Sequence, residues 1–131
     1  MQGNLSLLSA RFDSFTQTVG ATVVSRAGFV PTNVPNRVAN LWVTYAFAPQ
    51  WEAGLALRAV ASAWGNVENT VRAPGYGLVD LSLGYKVGKS TSLTARARNL
   101  GDRLYAENIP SAGMFYLGAP RSFDIALRST F

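Results

Sequence analysis

Residues 79–100 read VDLSLGYKVGKSTSLTARARNL, and this stretch decides the fold because it alternates apolar and polar side chains on both sides of one short turn. Successive residues of a β-strand point to opposite faces of a sheet, so the apolar odd-numbered residues of its first half share one face. Asp80 and Lys86 lie on the other face, together with Arg96 and Arg98 from the second half. The stretch therefore predicts a tight antiparallel hairpin with one uncharged face.

Six segments along the chain, each about ten residues long, have the character of strands. A tilted strand needs about nine to eleven residues to cross a bilayer, whereas the mean strand of a soluble sheet has about five or six. The segments are Leu5–Phe15, Val38–Ala48, Trp51–Trp64, Leu78–Val87, Ser92–Leu100 and Ser122–Phe131. They predict an all-β fold built from about six long transmembrane strands.

The connections between these segments alternate strictly between long and short. The tight turns fall at residues 49–50 and 88–91. The long connections span residues 16–37, 65–77 and 101–121. Outer-membrane barrels have short turns at the periplasmic rim and long loops on the outside. The alternation therefore predicts an antiparallel meander that ends with Phe131 at the periplasmic rim.

Charge is confined to one face of the predicted strands. From the second strand to the sixth, the odd-numbered positions carry no charge. A charge on the lipid face at mid-membrane costs about 2–4 kcal/mol, and this penalty predicts such an exclusion of charge from one face. The first strand fits only with the opposite parity, with Leu8, Ala10 and Phe12 facing lipid and with Leu5 and Leu7 outside the pattern. The charged even-numbered residues are Glu52, Arg58, Asp80, Lys86, Arg96, Arg98, Asp124 and Arg128.

A soluble β-sandwich also alternates apolar and polar residues, so parity alone does not separate it from a membrane barrel. Strand length and loop alternation favour the membrane. So does a rim of aromatic residues near the tight turns and the chain end, as at a membrane interface. A self-standing small barrel is the other alternative, although six strands are fewer than the usual minimum of eight. The rim residues are Tyr45, Phe47, Trp51, Tyr85 and Phe131.

The composition argues against an enzyme. The chain is 48% apolar and only 15% charged, whereas soluble domains contain about 25% charged residues. No stretch, however, reaches the roughly 18 consecutive apolar residues that a membrane helix needs. Cysteine and histidine are absent, and no phosphate-binding loop or catalytic carboxylate pair is recognisable. We therefore expect no catalytic residue, cofactor or metal site. The net charge of +5 is scattered, which does not favour nucleic-acid binding.

Three motifs resemble the C-terminal end of TonB-dependent receptors. Residues 99–105, NLGDRLY, are similar to the family's Asn-Leu-x-Asp-x-x-Tyr, with Gly101 where an aromatic residue is common. Residues 116–123, YLGAPRSF, resemble the approach to the last strand, and residues 34–42, VPNRVANLW, resemble a strand entry. The resemblance implies a receptor of the siderophore type in the bacterial outer membrane, with a 22-stranded barrel closed by an N-terminal plug.

The resemblance also implies the partners. Residues 1–131 would be the C-terminal portion of the barrel domain. Because the N-terminus lacks a basic and apolar leader, we expect the signal peptide and the plug to lie outside this chain. The implied partners are outer-membrane lipid, the plug and remaining strands, the TonB complex, a ferric siderophore or similar metal chelate, and the barrel-assembly machinery. The expected assembly signal comprises Phe123, Ile125, Leu127 and Phe131, with Ser129 departing from the usual apolar residue.

Candidate ligand contacts lie in the loops and on the charged face. Arginine and aromatic side chains are enriched at recognition surfaces, and arginines facing the lumen would attract an anionic chelate. Alternatively, the arginines pair with Glu52, Asp80 and Asp124 or with the plug, while Asn99 and Asp102 bond their own backbone in a turn. The candidates are Asn66, Arg72, Tyr76, Arg96, Arg98, Arg103, Tyr105 and Tyr116.

Overall fold

The computed structural model describes residues 1–111 and 113–130, and this part of the chain is built from strands and turns. Within it, no helix is long and apolar enough to cross a membrane. The strands are β1 (Gln2–Leu7), β2 (Thr16–Val19), β3 (Thr22–Ser25), β4 (Arg37–Ala48), β5 (Trp51–Val60), β6 (Ala63–Trp64), β7 (Arg72–Ala73), β8 (Tyr76–Val87), β9 (Thr91–Arg98), β10 (Ala106–Ser111), β11 (Met114–Leu117) and β12 (Ser122–Ser129).

Six of these strands form one antiparallel sheet in the order β1-β4-β5-β8-β9-β12, which we call the wall. Each strand of the wall pairs with its neighbour along the chain, so the predicted meander is confirmed. Directly paired residues lie on the same face of a sheet, and the register joins Leu55 to Leu81 and Leu83 to Ala95. The odd-numbered residues therefore share one continuous face, the outer face, and the even-numbered residues share the inner face.

The outer face is not covered by a second layer in the described part of the chain. Leu81 and Leu83 are 41% and 42% exposed, and Ile125 and Leu127 on the last strand are 74% and 69% exposed. A sandwich would bury these side chains against another sheet. Only Ala73 and Ile109 are buried apolar residues among those described. The wall therefore has the build of a membrane barrel segment, and the sandwich alternative is not supported.

The prediction for the first strand was wrong in position and in parity. The strand runs over Gln2–Leu7 rather than Leu5–Phe15, and Leu5 pairs with Ala39 while Leu7 pairs with Arg37. Leu5 and Leu7 thus lie on the outer face, where they are more than 60% exposed. The alternation at residues 8–13 is coincidental, because the face of an edge strand depends on its register with β4.

The third strand is shorter than predicted, and the long loops contain hairpins that the sequence did not indicate. β5 ends at Val60, while Ala63–Trp64 pairs with Arg72–Ala73 in a sheet of its own. Gly75, the residue before β8, lies so close to the end of β5 that a Cβ atom would be 2.7 Å from the Val60 carbonyl oxygen. β2–β3 and β10–β11 are the other two hairpins.

The aromatic rim at the tight turns is confirmed for its described members. The ring centroids of Phe47 and Trp51 lie 6.2 Å apart, and those of Trp51 and Tyr85 lie 4.6 Å apart. Tyr45 is on the same face and is 68% exposed. Phe131 lies outside the described residues. Neighbouring aromatic rings on the outer face beside the tight turns are typical of a membrane–water interface.

The three long connections meet at the opposite end of the wall, which we call the loop end. Loop one spans residues 8–36, loop two spans 61–75, and loop three spans 99–121. Each carries one of the three small hairpins. This end is where the predicted ligand contacts lie.

Candidate ligand-facing surface

The inner face of the wall carries all the charged side chains that parity assigned to it. The register places Arg96 beside Ser82 and Asp124, and Glu52 beside Gly84, all on the face opposite Leu81 and Leu83. Five of these side chains are cationic and three are anionic. An excess of positive charge on a concave surface raises the local concentration of anions.

Asp124 neutralises part of this charge. Its carboxylate lies 3.1 Å from Arg98 Nη2 and 3.6 Å from Arg96 Nη1. Both arginine side chains remain about half exposed, so each pair contributes little to stability. The pairing supports the alternative in which the inner arginines neutralise inner carboxylates. The two arginine side chains are nevertheless exposed and therefore accessible to a ligand.

A concave pocket of about 660 Å³ lies at the loop end of the inner face. Its floor is formed by side chains from β4, β5, β8 and β9, and residues of loop three form one side. Asp80 is held there by accepting a hydrogen bond of 2.7 Å from the backbone N–H of Asn99. Among the described residues, Arg58 forms no ion pair with a carboxylate. Prominent lining residues are Asn40, Trp42, Arg58, Asp80, Arg98 and Tyr105.

Trp42 is a pocket residue that the sequence analysis did not identify as a candidate. Its side chain is 47% exposed, and it lies on the inner face, beside Ala56 and Gln2 in neighbouring strands. The signal was present, because Trp42 is the one large aromatic residue at an even position of the predicted second strand. An exposed indole that shares a pocket with the guanidinium groups of Arg58 and Arg98 is suited to bind a planar or anionic ligand.

Tyr76 and Tyr105 form a tilted aromatic pair where the wall meets loop three. Their ring centroids lie 4.4 Å apart, and the Tyr105 ring lies over Gly118, where a Cβ atom would collide with it. Burial, followed by the nearby Glu107 and Tyr76, raises the pKa of Tyr105 above its ordinary value of 10.0, although Arg58 opposes the shift. The phenol is therefore a neutral hydrogen-bonding group at physiological pH.

The Asn99–Tyr105 motif forms a tight turn that holds loop three. Asn99 has a positive φ of 48° and is 5% exposed. Its side-chain amide donates to the carbonyl oxygens of Arg103 and Ala119 at 2.9 and 3.0 Å, and accepts from the Arg103 N–H at 2.8 Å. Asp102 accepts from the Arg121 N–H at 3.0 Å. Both side chains are thus used within the loop, as the turn interpretation expected.

The remaining loop candidates do not line this pocket. Asn66 caps its own turn by accepting from the N–H groups of Thr70 and Val71. The Arg72 guanidinium lies 5.3 Å above the Trp64 ring. Arg103 is exposed, and Tyr116 in β11 is 57% exposed. Of the predicted contacts, the structure therefore brings Arg98 and Tyr105 into the pocket. Tyr76 packs against Tyr105, and Arg96 lines an adjoining part of the inner face.

The residues expected to guide barrel assembly lie on the outer face of β12, the last strand of the wall. Phe123, Ile125 and Leu127 are 72%, 74% and 69% exposed. In the described part of the chain, β12 pairs only with β9, so one edge of this strand is open. Phe131 falls outside the described residues, and the assembly role of all four stays a prediction.

Comparisons with known proteins agree with this architecture. Residues 2–100 match the family model "TonB dependent receptor-like, beta-barrel". The chain is 36% identical over 73 residues to the probable TonB-dependent siderophore receptor PiuA of Acinetobacter baumannii, covering 56% of this chain and 10% of the relative. It is 29% identical over 110 residues to the ferrioxamine receptor of Yersinia enterocolitica, covering 79% of this chain and 16% of the relative.

A solved structure supports the same assignment. The crystal structure of the siderophore receptor PiuA from Acinetobacter baumannii superposes with a TM-score of 0.77 and 25% identity, covering 86% of this chain and 16% of that chain. The chain thus spans only about a sixth or less of the length of these relatives. Since the family model covers most of the chain and the fold agrees, the chain belongs to the TonB-dependent receptors and forms part of their outer-membrane β-barrel.

Proposed function

We propose that residues 1–131 form the C-terminal six strands of a TonB-dependent receptor that imports a ferric siderophore or a similar metal chelate. The observation that carries the proposal is a one-layer wall whose outer face carries no charge apart from Arg37 at the loop end, with a basic inner pocket beneath the loops. The open edges of β1 and β12 would pair with the remaining strands of a larger barrel. This wall cannot form a closed small barrel by itself.

The inner pocket would contribute to ligand passage through charge and through aromatic contact. Arg58 and Arg98 attract an anionic chelate, since both are accessible and positively charged at all physiological pH values. Trp42 and Tyr105 offer apolar ring faces, and Tyr105 also offers a neutral hydroxyl. The ligand would contact the loops first and this pocket next. It would then pass the plug domain, whose movement would be driven through the TonB complex. Outer-membrane lipid would cover the outer face, and the barrel-assembly machinery would insert the barrel.

A chimeric receptor tests this proposal. The plug and preceding strands of the PiuA receptor are joined to residues 1–131, and uptake of labelled ferric siderophores is measured in iron-starved cells. We expect TonB-dependent uptake that falls several-fold in the Arg58→Ala variant, because an unpaired inner cation is lost. Arg37→Ala is the matched control, since Arg37 lies at the loop end on the outer face.

Two outcomes would contradict the proposal. A chimera that assembles, as shown by heat-modifiable migration, but takes up none of a panel of ferric siderophores would refute the transport role. Equal losses in Arg58→Ala and Arg37→Ala would refute the contribution of the inner pocket.

A further inference from the structure

We propose that Asn33 and Asn69 lock the three long loops into a single rigid body, so that the side chains of loops two and three keep a fixed relative position. Each asparagine lies in one loop and binds the backbone of another loop with both polar atoms of its side chain. These two contacts are called the asparagine clasps below. They are positioning contacts, because neither side chain lines the inner pocket described above.

The first clasp joins loop one to loop three. Asn33 Nδ2 donates to the carbonyl oxygen of Ile109 at 2.9 Å, and Asn33 Oδ1 accepts from the Ile109 N–H at 2.9 Å. The side chain thus satisfies both backbone groups of a residue that is only 2% exposed. A buried backbone group without a partner is costly, so Ile109 depends on Asn33 for its place.

The second clasp joins loop two to loop one in the same way. Asn69 Oδ1 accepts from the Val30 N–H at 2.8 Å, and Asn69 Nδ2 donates to the Val30 carbonyl oxygen at 2.9 Å. The ion pair between Arg26 and Glu68, with a distance of 3.6 Å, supports the same junction. The backbone N–H of Asn33 also donates to the Trp64 carbonyl oxygen in loop two at 2.7 Å.

Packing closes the third side of this arrangement, between loops two and three. Ile109 lies against Gly65 so closely that a Cβ atom there would be 2.5 Å from Ile109 Cγ2. Every pair of loops is therefore in direct contact, although Asn33 and Ile109 are 76 residues apart in the chain. Because each loop contacts the other two, no loop can move without breaking its contacts with both of them.

The backbone at both clasps restricts which residues fit. Asn33 and Asn69 have positive φ values of 58° and 53°. Among residues with side chains, asparagine and aspartate enter this region most readily. Only asparagine also offers one donor and one acceptor for a complete backbone partner. Conformation and hydrogen bonding therefore select the same residue at both positions.

Hydrogen exchange in the chimeric receptor tests the inference. The Asn69→Ala variant removes one of the contacts between loops one and two and none of the contacts to loop three. In this variant we expect the Ile109 amide in loop three to exchange about tenfold faster. In Asn33→Ala, the Gly65 amide of loop two, which donates to the Val71 carbonyl oxygen, should accelerate similarly. The Ile109 amide in Asn69→Ala is the informative one, because the hydrogen bonds of the Asn69 side chain join only loops one and two, and a purely local effect would leave Ile109 unchanged.

Asn40→Ala is the matched control, because the Asn40 side chain bonds Asn4 within the wall. It should leave the Ile109 and Gly65 amides as in the parent chimera. Asn33→Asp retains the acceptor for the Ile109 N–H and should give an intermediate acceleration, even if Asn33→Ala assembles poorly. Unchanged Ile109 exchange in an assembled Asn69→Ala chimera would overturn the inference.

The inference uses the membrane barrel of the proposed function but not its ligand. Loss of siderophore uptake with coupled exchange intact would refute the transport role alone. Independent exchange of the loops with uptake intact would refute the clasps alone.

Discussion

The wall and the loops of this chain are stabilised in different ways. In the wall, every strand pairs with its neighbours through long, continuous backbone ladders, and individual side chains mainly decide which face meets lipid. In the loops, single side chains such as Asn33, Asn69 and Asn99 provide the hydrogen bonds that join distant segments. The effect of a substitution in the wall should therefore depend on whether the substituted residue faces lipid or water. The effect of a substitution in the loops should depend on the specific contacts that it removes.

The largest expected effect tests the assignment of faces in the wall. Leu83→Arg places a charge on the outer face and should destabilise the folded barrel by about 2–4 kcal/mol. Denaturant unfolding of the chimeric receptor in lipid vesicles measures this change. Gly84→Arg is the neighbouring control, because it lies on the inner face directly opposite Glu52 and should be nearly neutral. Equal destabilisation by both substitutions would mean that the faces are wrongly assigned.

A smaller effect is expected at the turn that holds loop three. Asn99→Ala removes three side-chain hydrogen bonds and should weaken the loop by about 2 kcal/mol. Asn99→Gly loses the same bonds but suits the positive φ of 48°, so it should be milder than alanine by about 1 kcal/mol. The rate of proteolysis within residues 101–121 reports both changes. If glycine is as harmful as alanine, backbone conformation contributes nothing at this position.

The smallest effect concerns pH at the junction of loops one and two. A hydrogen bond with Gln17, aided by Arg26, lowers the pKa of Glu68 below its ordinary value of 4.5. The stabilisation is therefore fully present above this ordinary value and is lost as the pH falls through the lowered one. We expect the Val30 amide to exchange faster on acidification, after correction for intrinsic exchange. In Glu68→Gln this pH dependence should disappear, and its persistence would exclude Glu68 as its source.

Much of the wall was predictable because the face of a strand residue depends mainly on local alternation. The bounds of β8 and β9 differ from the predicted segments by at most two residues at either end, and the described members of the aromatic rim lie together as expected. The first strand was misplaced because its register is set by pairing with β4, and its own pattern was misleading. The third strand was predicted too long because the alternation continues after Val60, although Ala63–Trp64 pairs with Arg72–Ala73 instead of extending β5.

The candidate site was only partly predictable for a similar reason. Arg98 and Tyr105 were identified from residue type and position, and both line the inner pocket. Asn66 was identified in the same way, yet its side chain is used inside its own turn. Trp42 was not among the predicted contacts, because its place in the pocket depends on the neighbouring strands that pair with β4.

The sequence by itself determined that this chain forms a charged inner face and an uncharged outer face, since membrane lipid excludes charge from every second position of a spanning strand. It also determined the tight turn at Asn99, because asparagine bonds nearby backbone groups. Only the tertiary structure decided which loops touch. The partners of Asn33 and Asn69 lie 76 and 39 residues away, and no local periodicity encodes contacts over such separations.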